Sequence, residues 1–160
     1  MSDSRPPNAR LYEVRLDEAT LPRLGTDQDH ERAVAIFDLV EENSFVVRDR
    51  VDGPYCLILA QLEAKLHFAA QTESGETACE FIVSMTPFRP LLKDYFLVCE
   101  TYYDAIRTAT PRQIEAIDRE RTQLHNEGAD LLATRIADKV DVDKGTARRL
   151  FTLVSALHWK

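Results

Sequence analysis

The stretch from Thr86 to Ala109 constrains the fold most, because it is apolar or aromatic on nearly every side of a helix. It opens with Thr86-Pro87, a capping residue followed by proline at the position where the missing N–H costs nothing. A helix that is apolar all round is typically buried rather than laid on a surface. The sequence therefore predicts that this segment is the central helix of the molecule.

Short strands are predicted before this helix. Strand alternation begins at Tyr12, and one amphipathic helix follows within residues 27–43. Further segments rich in β-forming residues then come before Thr86, and turns of hairpin length connect most of them. Such short connections favour antiparallel pairing.

Three helices are predicted for the C-terminal half. Thr110-Pro111 with Gln113 matches a capping box at the start of the second. Because glycine disfavours a helix interior, we expect this helix to break or kink near Asn126–Gly128. Asp141 or Asp143 should begin the last helix. The fold class is therefore α+β: an antiparallel sheet meander of four to five strands packed against a C-terminal group of three helices, plus one helix after the first strand.

The length of 160 residues is typical of one domain. Residues 1–9 contain Pro6-Pro7 among polar neighbours, so we expect a disordered or loosely ordered arm there. Residues 10–160 should then form a single α+β domain. Trp159, the residue before the last, either packs under the sheet or stays exposed for a partner.

Charge is distributed unevenly along the chain. Residues 1–86 hold 8 Lys/Arg against 16 Asp/Glu, whereas residues 87–160 hold 12 against 11. The acidic half is either a solvated surface or a docking face for a basic partner. The net charge of −7 argues against nucleic acid and against an anionic membrane as partners.

The sequence contains no recognisable motif for binding a nucleotide cofactor or a metal ion. The five glycines stand singly, so neither a dinucleotide-binding loop nor a P-loop is formed. Cys56, Cys79 and Cys99 lack metal-type spacing and are odd in number, which favours reduced, buried thiols. We therefore predict no cofactor and no metal. With no signal peptide and no apolar stretch long enough to cross a bilayer, a cytoplasmic location is expected.

His125, Asn126 and Glu127 form the most suggestive polar group, beside the expected helix break. One interpretation is a small polar site in which His125 and Glu127 act as acid and base. The alternative is a structural cluster that satisfies free carbonyl groups at the break.

A second group of polar residues borders the Thr86–Ala109 helix. Arg89 stands near the helix start, where it could meet an anion, and Lys93 and Tyr102 follow on the same helix. The alternative is that these side chains only rim a buried helix. With Asn126, they form the predicted rim for a ligand or partner.

Several segments together resemble one bacterial protein family: residues 30–45 (HERAVAIFDLVEENSF), 53–57 (GPYCL), 86–118, 124–128 (LHNEG) and 147–159 (ARRLFTLVSALHW). The chain is similar to an alphaproteobacterial family classed as uncharacterised, with no assigned reaction. The resemblance implies a small cytoplasmic protein, and it also suggests a link to the actin-like filament protein that directs cell-wall elongation. It supplies no catalytic residues.

Two hypotheses about function, from different classes of protein, follow from the sequence. The first is a regulatory or interaction protein that acts by contact with a protein partner, the actin-like filament protein being one candidate by resemblance. The second is a small-ligand-binding protein or enzyme that uses the polar site around His125 and Glu127. Homodimerisation through a sheet edge or the last helix is a further option.

Overall fold

A computed structural model describes residues 8–158 of the chain. Its main sheet has four strands in the order β1-β3-β4-β5. The strands are β1 (Leu11–Leu16), β3 (Tyr55–Leu62), β4 (Lys65–Thr72) and β5 (Thr77–Ser84).

The last three strands of this sheet form the expected antiparallel meander. Ala60 of β3 stands opposite His67 of β4, and Phe68 of β4 stands opposite Phe81 of β5. The rings of Phe68 and Phe81 stack with their centroids 5.0 Å apart. Short turns connect these strands, and short turns permit only antiparallel neighbours.

The first strand pairs in parallel with β3, so the sheet is mixed rather than purely antiparallel. Helix α1 (Thr26–Glu41) lies between the two strands in the chain. A crossover of this length is what parallel pairing requires. Asn43, just after α1, reinforces the pairing by accepting a 2.7 Å hydrogen bond from Leu11 N and donating at 3.1 Å to Leu11 O.

The first β-rich segment after α1, predicted from the sequence as a brief strand over residues 45–48 of the meander, belongs instead to a separate small sheet. Strand β2 (Phe45–Val47) pairs in antiparallel fashion with β6 (Val140–Val142), which the sequence analysis did not identify. Phe45, Val47 and Val140 are all buried. This small sheet therefore joins the two halves of the chain by backbone pairing, and its buried side chains belong to the core.

The central helix is the last one, α4 (Lys144–His158), and not the segment expected from the sequence. Helix α4 contacts both α1 and α3, and Leu153 and Val154 on it are fully buried. The N-cap expected at Asp143 is present, since its Oδ1 accepts a 2.8 Å hydrogen bond from Thr146 N.

The expected central segment forms a 3₁₀ turn (Thr86–Phe88) followed by α2 (Arg89–Thr108), which packs beside α3. Leu92 and Val98 are buried, whereas Leu97 and Ile106 are at least half exposed. The expectation of burial on every side is wrong because only part of the helix surface finds a partner.

Helix α3 (Pro111–Ile136) is continuous, so the break expected near Asn126–Gly128 is absent. Its start carries the predicted capping box, with Thr110 and Gln113 bonded reciprocally. The reason for Gly128 is close packing: a Cβ there would lie 2.2 Å from Cζ of Phe151 on α4. The glycine lets α3 approach α4 rather than ending α3.

The α+β class predicted from the sequence is confirmed, with four helices and two sheets in the described part of the chain. One buried apolar cluster includes side chains from both sheets and all four helices. Within residues 8–158, none of the helices has the length and apolar character needed to cross a membrane.

Two sequence predictions fall on the chain ends. Most of the expected N-terminal arm and the terminal Trp159 lie outside the described residues. Of the arm's last two residues, Ala9 is buried and its carbonyl accepts a 2.8 Å hydrogen bond from Phe45 N.

Candidate functional site

An open cleft of about 480 Å³ lies where α2, α3 and the first half of α4 meet. Helix α2 contributes one residue, α3 contributes one polar face, and α4 contributes the other wall. The lining residues are Tyr95, Arg121, Thr122, His125, Gly145, Arg148, Arg149 and Thr152.

Arg121 is held in place by two interactions. Its Nη2 lies 2.5 Å from Oδ1 of Asp118, one turn earlier on α3. Its guanidinium carbon lies 4.1 Å from the centroid of the Tyr102 ring, in a cation–π contact. These contacts fix the orientation of the guanidinium without removing it from the cleft.

The other two arginines come from α4 and differ in their partners. Nη2 of Arg149 lies 3.2 Å from Oε2 of Glu42, a carboxylate that is 80% exposed. Arg148 is exposed, and no carboxylate in the described part of the chain lies within ion-pairing distance of it. Arg148 therefore brings the least compensated positive charge to the cleft.

His125 connects the two walls of the cleft. Its Nε2 lies 2.8 Å from Oγ1 of Thr152, and that hydroxyl donates at 3.0 Å to the carbonyl of Arg148. Because a hydroxyl has a single proton, Thr152 must accept from His125, and we assign the imidazole proton to Nε2. Nδ1 is then an unprotonated nitrogen, and it is buried with no hydrogen-bond partner within residues 8–158.

Burial keeps this imidazole neutral. The His125 ring packs between the rings of Tyr95 and Phe151, with centroid distances of 5.7 and 5.3 Å. Burial lowers the pKa of His125 to about 4, and the positive charges of Arg148 and Arg121 add to this shift. At neutral pH the ring is therefore a hydrogen-bond donor that carries no charge.

Tyr95 is the single cleft residue from α2. Burial, with a smaller contribution from the neighbouring Cys99 thiol, raises the pKa of Tyr95 above its ordinary value. Its phenol therefore stays protonated at physiological pH and retains its ability to donate a hydrogen bond.

This arrangement favours an anionic ligand. Guanidinium groups bind carboxylate or phosphate oxygens in pairs, and the Thr122 hydroxyl adds a further donor. The N-terminal amides of α4 contribute less, because the carboxylate of Asp143 already accepts from Thr146 N. The side chains, rather than the helix end, would hold the anion.

The structure does not bring His125 and Glu127 together. Glu127 is exposed, and its Oε1 lies 3.4 Å from Nε2 of Gln123. Residues two apart on a helix point to different sides, so the two predicted acid/base candidates face different environments. The structural alternative, carbonyl capping at a helix break, is not possible in a continuous helix.

The predicted rim residues are also dispersed. Arg89 and Lys93 are exposed on the first turns of α2 and do not line the cleft. Tyr102 reaches the cleft only through its stacking contact with Arg121. Asn126 does not line the cleft either, and its Oδ1 is buried with no hydrogen-bond partner among the residues described.

No sequence motif singles out Arg121, Thr122 or Thr152 as site residues. Arg121 and Thr122 precede His125 by four and three residues, and Arg148 precedes Thr152 by four. This spacing places polar residues on one face of each helix. In residues 8–158, no group of three or more His, Cys, Asp or Glu side chains is arranged to hold a metal ion.

Comparison with known proteins identifies relatives of this chain. The sequence model of a family described as "Uncharacterised protein family (UPF0262)" matches residues 8–160. A UPF0262 protein of Methylobacterium radiotolerans is 54% identical over 98% of this chain and 96% of its own length. A UPF0262 protein of Brucella anthropi is 55% identical over 96% of each chain.

A third relative, a UPF0262 protein of Hyphomonas neptunium, is 55% identical over 93% of this chain and 92% of its own. No solved structure matches the chain. The family match and these high identities confirm the resemblance drawn from the sequence. The chain belongs to the UPF0262 family, whose matched members come from alphaproteobacteria.

Proposed function

We propose that the protein is a small-ligand-binding protein whose cleft between α3 and α4 recognises a phosphate-bearing molecule. The observation that carries this proposal is the convergence of Arg121, Arg148 and Arg149 on one cleft. The chain as a whole has a net charge of −7, so three arginines in one concavity stand out against the overall charge.

A phosphate group matches the cleft better than a single carboxylate does. Asp118 and Glu42 partly compensate Arg121 and Arg149, whereas Arg148 has no such partner among the residues described. A ligand with two negative charges could engage Arg148 fully and share the other two guanidinium groups. Neutral His125 keeps the cleft's charge independent of pH near neutrality.

The dimensions of the cleft also support a small molecule. A volume of about 480 Å³ lies within the range of small-ligand sites, roughly 300–1,000 Å³. Tyr95 adds an aromatic surface beside the charged groups. We therefore expect a phosphorylated or pyrophosphate-containing small molecule rather than a polymer.

Isothermal titration with inorganic pyrophosphate tests this function. Arg148→Gln removes the least compensated charge and should weaken binding by roughly tenfold, since a hydrogen bond to a charged group contributes about 1.5–3 kcal/mol. Arg119→Gln is the matched control, because Arg119 is an exposed arginine of α3 that does not line the cleft. It should leave the affinity close to that of the unchanged protein.

Two outcomes would contradict the proposal. One is the absence of any heat of binding with the unchanged protein. The other is an equal loss of affinity in both variants, which would indicate diffuse electrostatic attraction rather than a site.

The protein-contact role expected from the sequence stays a prediction. Tyr103 and Ile106, on the last turns of α2, are 56% and 50% exposed and are two of the large exposed side chains that a partner could cover. The link to an actin-like filament protein rests on resemblance alone. Light scattering of the purified protein, with Tyr103→Ser and Ile106→Ser for comparison, would test whether this end of α2 mediates self-association.

The cytoplasmic location likewise stays a prediction. Its support is that Cys56, Cys79 and Cys99 are all free thiols, as a reducing compartment would leave them.

A further inference from the structure

A second cavity, of about 510 Å³, lies at the opposite end of α4 from the arginine cleft. Its walls come from the loop between β1 and α1, from the first half of α1, from the end of β3 and from the end of α4. The residues that matter most to its chemistry are Leu21, Leu24, Arg32, Leu157 and His158.

Arg32 is the unusual member of this cavity, because it is a charged residue that is only 5% exposed. Its Nη1 donates a 3.0 Å hydrogen bond to the carbonyl of Pro22. Its Nε is buried and has no hydrogen-bond partner among residues 8–158. No Asp or Glu within residues 8–158 forms an ion pair with it.

The acidic residue one turn earlier does not compensate this charge. Oδ1 of Asp29 instead accepts a 3.4 Å hydrogen bond from Leu24 N. Burial of a guanidinium without a counter-charge is strongly unfavourable, because the lost hydration is not replaced. A guanidinium with unused donors can bind a carboxylate through charge-assisted hydrogen bonds.

Part of the remaining cavity wall is suited to an apolar group, beside the polar side chains of Thr20, Gln28 and Gln61. Leu21 and Leu157 are buried in its wall, and Leu24 is half exposed at its edge. Nδ1 of His158 lies 2.8 Å from the carbonyl of Val154 and must donate to it, because a carbonyl oxygen only accepts. The other nitrogen, Nε2, is buried and has no hydrogen-bond partner in the described part of the chain.

We propose that this second cavity binds a small aliphatic carboxylate, with its carboxylate on Arg32 and its alkyl chain against Leu21, Leu24 and Leu157. A monoanion fits a single buried guanidinium, whereas a phosphate dianion would bring a second charge into an apolar wall. This site is separate from the arginine cleft and does not depend on the function proposed there.

Titrations of acetate, butyrate and hexanoate into isotope-labelled protein, followed by NMR, test the proposal. The backbone signals of residues 20–32 and 157–158 should shift, and the affinity should rise several-fold with each pair of added methylene groups. Hexanol, which has the same alkyl chain without the charge, should bind at least tenfold more weakly. The proposal is overturned if hexanol binds as well as hexanoate, or if millimolar hexanoate leaves these signals unchanged.

Two substitutions locate the charge that the ligand requires. Arg32→Gln should reduce hexanoate affinity at least tenfold. Arg23→Gln, at an exposed arginine of the same loop that does not line the cavity, should leave it unchanged. Equal affinities in the two variants would overturn the proposal.

A further variant keeps the test decisive if Arg32→Gln does not fold. Leu24→Glu places a negative charge at an exposed position on the cavity edge, with Leu24→Gln as its uncharged control. The charged variant should bind hexanoate more weakly than the uncharged one. Identical affinities would contradict a carboxylate site.

Discussion

Nε2 of His125 and Oγ1 of Thr152 lie 2.8 Å apart and form a hydrogen bond between α3 and α4 within the lining of the arginine cleft. The bond fixes a proton on Nε2, while burial and the nearby arginines keep the imidazole neutral. The contact between the two walls of the cleft therefore depends on the protonation state of His125.

The stability of the protein should depend on pH through His125. Its pKa is about 4 in the folded state and about 6.5 when unfolded, so only the unfolded chain takes up this proton between these values. The free energy of unfolding should therefore fall as the pH drops from 6.5 to 4. We expect a loss on the order of 1–2 kcal/mol, less than the full shift implies, because the ring is partly exposed.

Urea denaturation of the unchanged protein and of His125→Gln, measured from pH 7 to pH 4, isolates this contribution from the other histidines. The difference in unfolding free energy between the two proteins should shrink as the pH falls. Parallel curves across this range would show that His125 titrates normally.

Gly128→Ala should destabilise the protein by about 1–3 kcal/mol, because the added Cβ would meet the Phe151 ring. At an ordinary helix position the same change would stabilise by up to about 1 kcal/mol. Thermal or urea denaturation distinguishes the two cases by the sign of the change. In a double-mutant cycle, Phe151→Leu should recover part of the loss.

The same glycine explains why the break predicted in α3 was wrong. In the sequence, a glycine at position 128 is equally consistent with the end of a helix and with close packing against an aromatic ring of a neighbouring helix. Only the position of Phe151 decides between the two, and that position is set by tertiary packing. The capping box at Thr110, in contrast, is a local feature and was predicted correctly.

Asn43→Ala should cost about 2–4 kcal/mol of stability, since the side chain bonds to both backbone groups of Leu11 and to the carbonyl of Leu39. The loss would leave Leu11 N unpaired beside the sheet. The matched truncation Gln123→Ala, at an exposed residue of α3, should change the free energy of unfolding by less than about 0.5 kcal/mol. Similar losses in both variants would contradict the role assigned to Asn43.

Asn43 also illustrates the limits of the fold prediction. The periodicity of β1 and the helical spacing of α1 are local patterns and were identified from the sequence. The parallel pairing of β1 with β3, and the pairing of β2 with the three-residue strand β6, join segments far apart in the chain. No local sequence pattern predicts such long-range pairings.

Tyr55→Phe should destabilise the protein by about 1 kcal/mol. Tyr55 is fully buried, and its hydroxyl lies 2.5 Å from Oδ1 of Asp52. Tyr103→Phe, which removes the same hydroxyl from a side chain that is 56% exposed, should have no measurable effect. Equal unfolding midpoints for the two variants would contradict a stabilising Tyr55–Asp52 bond.

The candidate site was only partly visible in the sequence. His125 was identified because it stands in a polar run, but its neighbours in that run point elsewhere. Its actual companions, Arg121 and Arg148, come from one turn earlier on α3 and from a different helix. The spacing of the polar residues along α3 and along α4 could be seen in the sequence. The contact between these two polar faces could not, because it depends on tertiary packing.

The most direct test of the account is to locate pyrophosphate on the protein by NMR chemical-shift mapping. The account predicts shifts concentrated in residues 118–125 and 145–152, with Arg148→Gln reducing them. Shifts that are absent, or that spread over the basic residues of the first half of the chain, would contradict an anion site between α3 and α4.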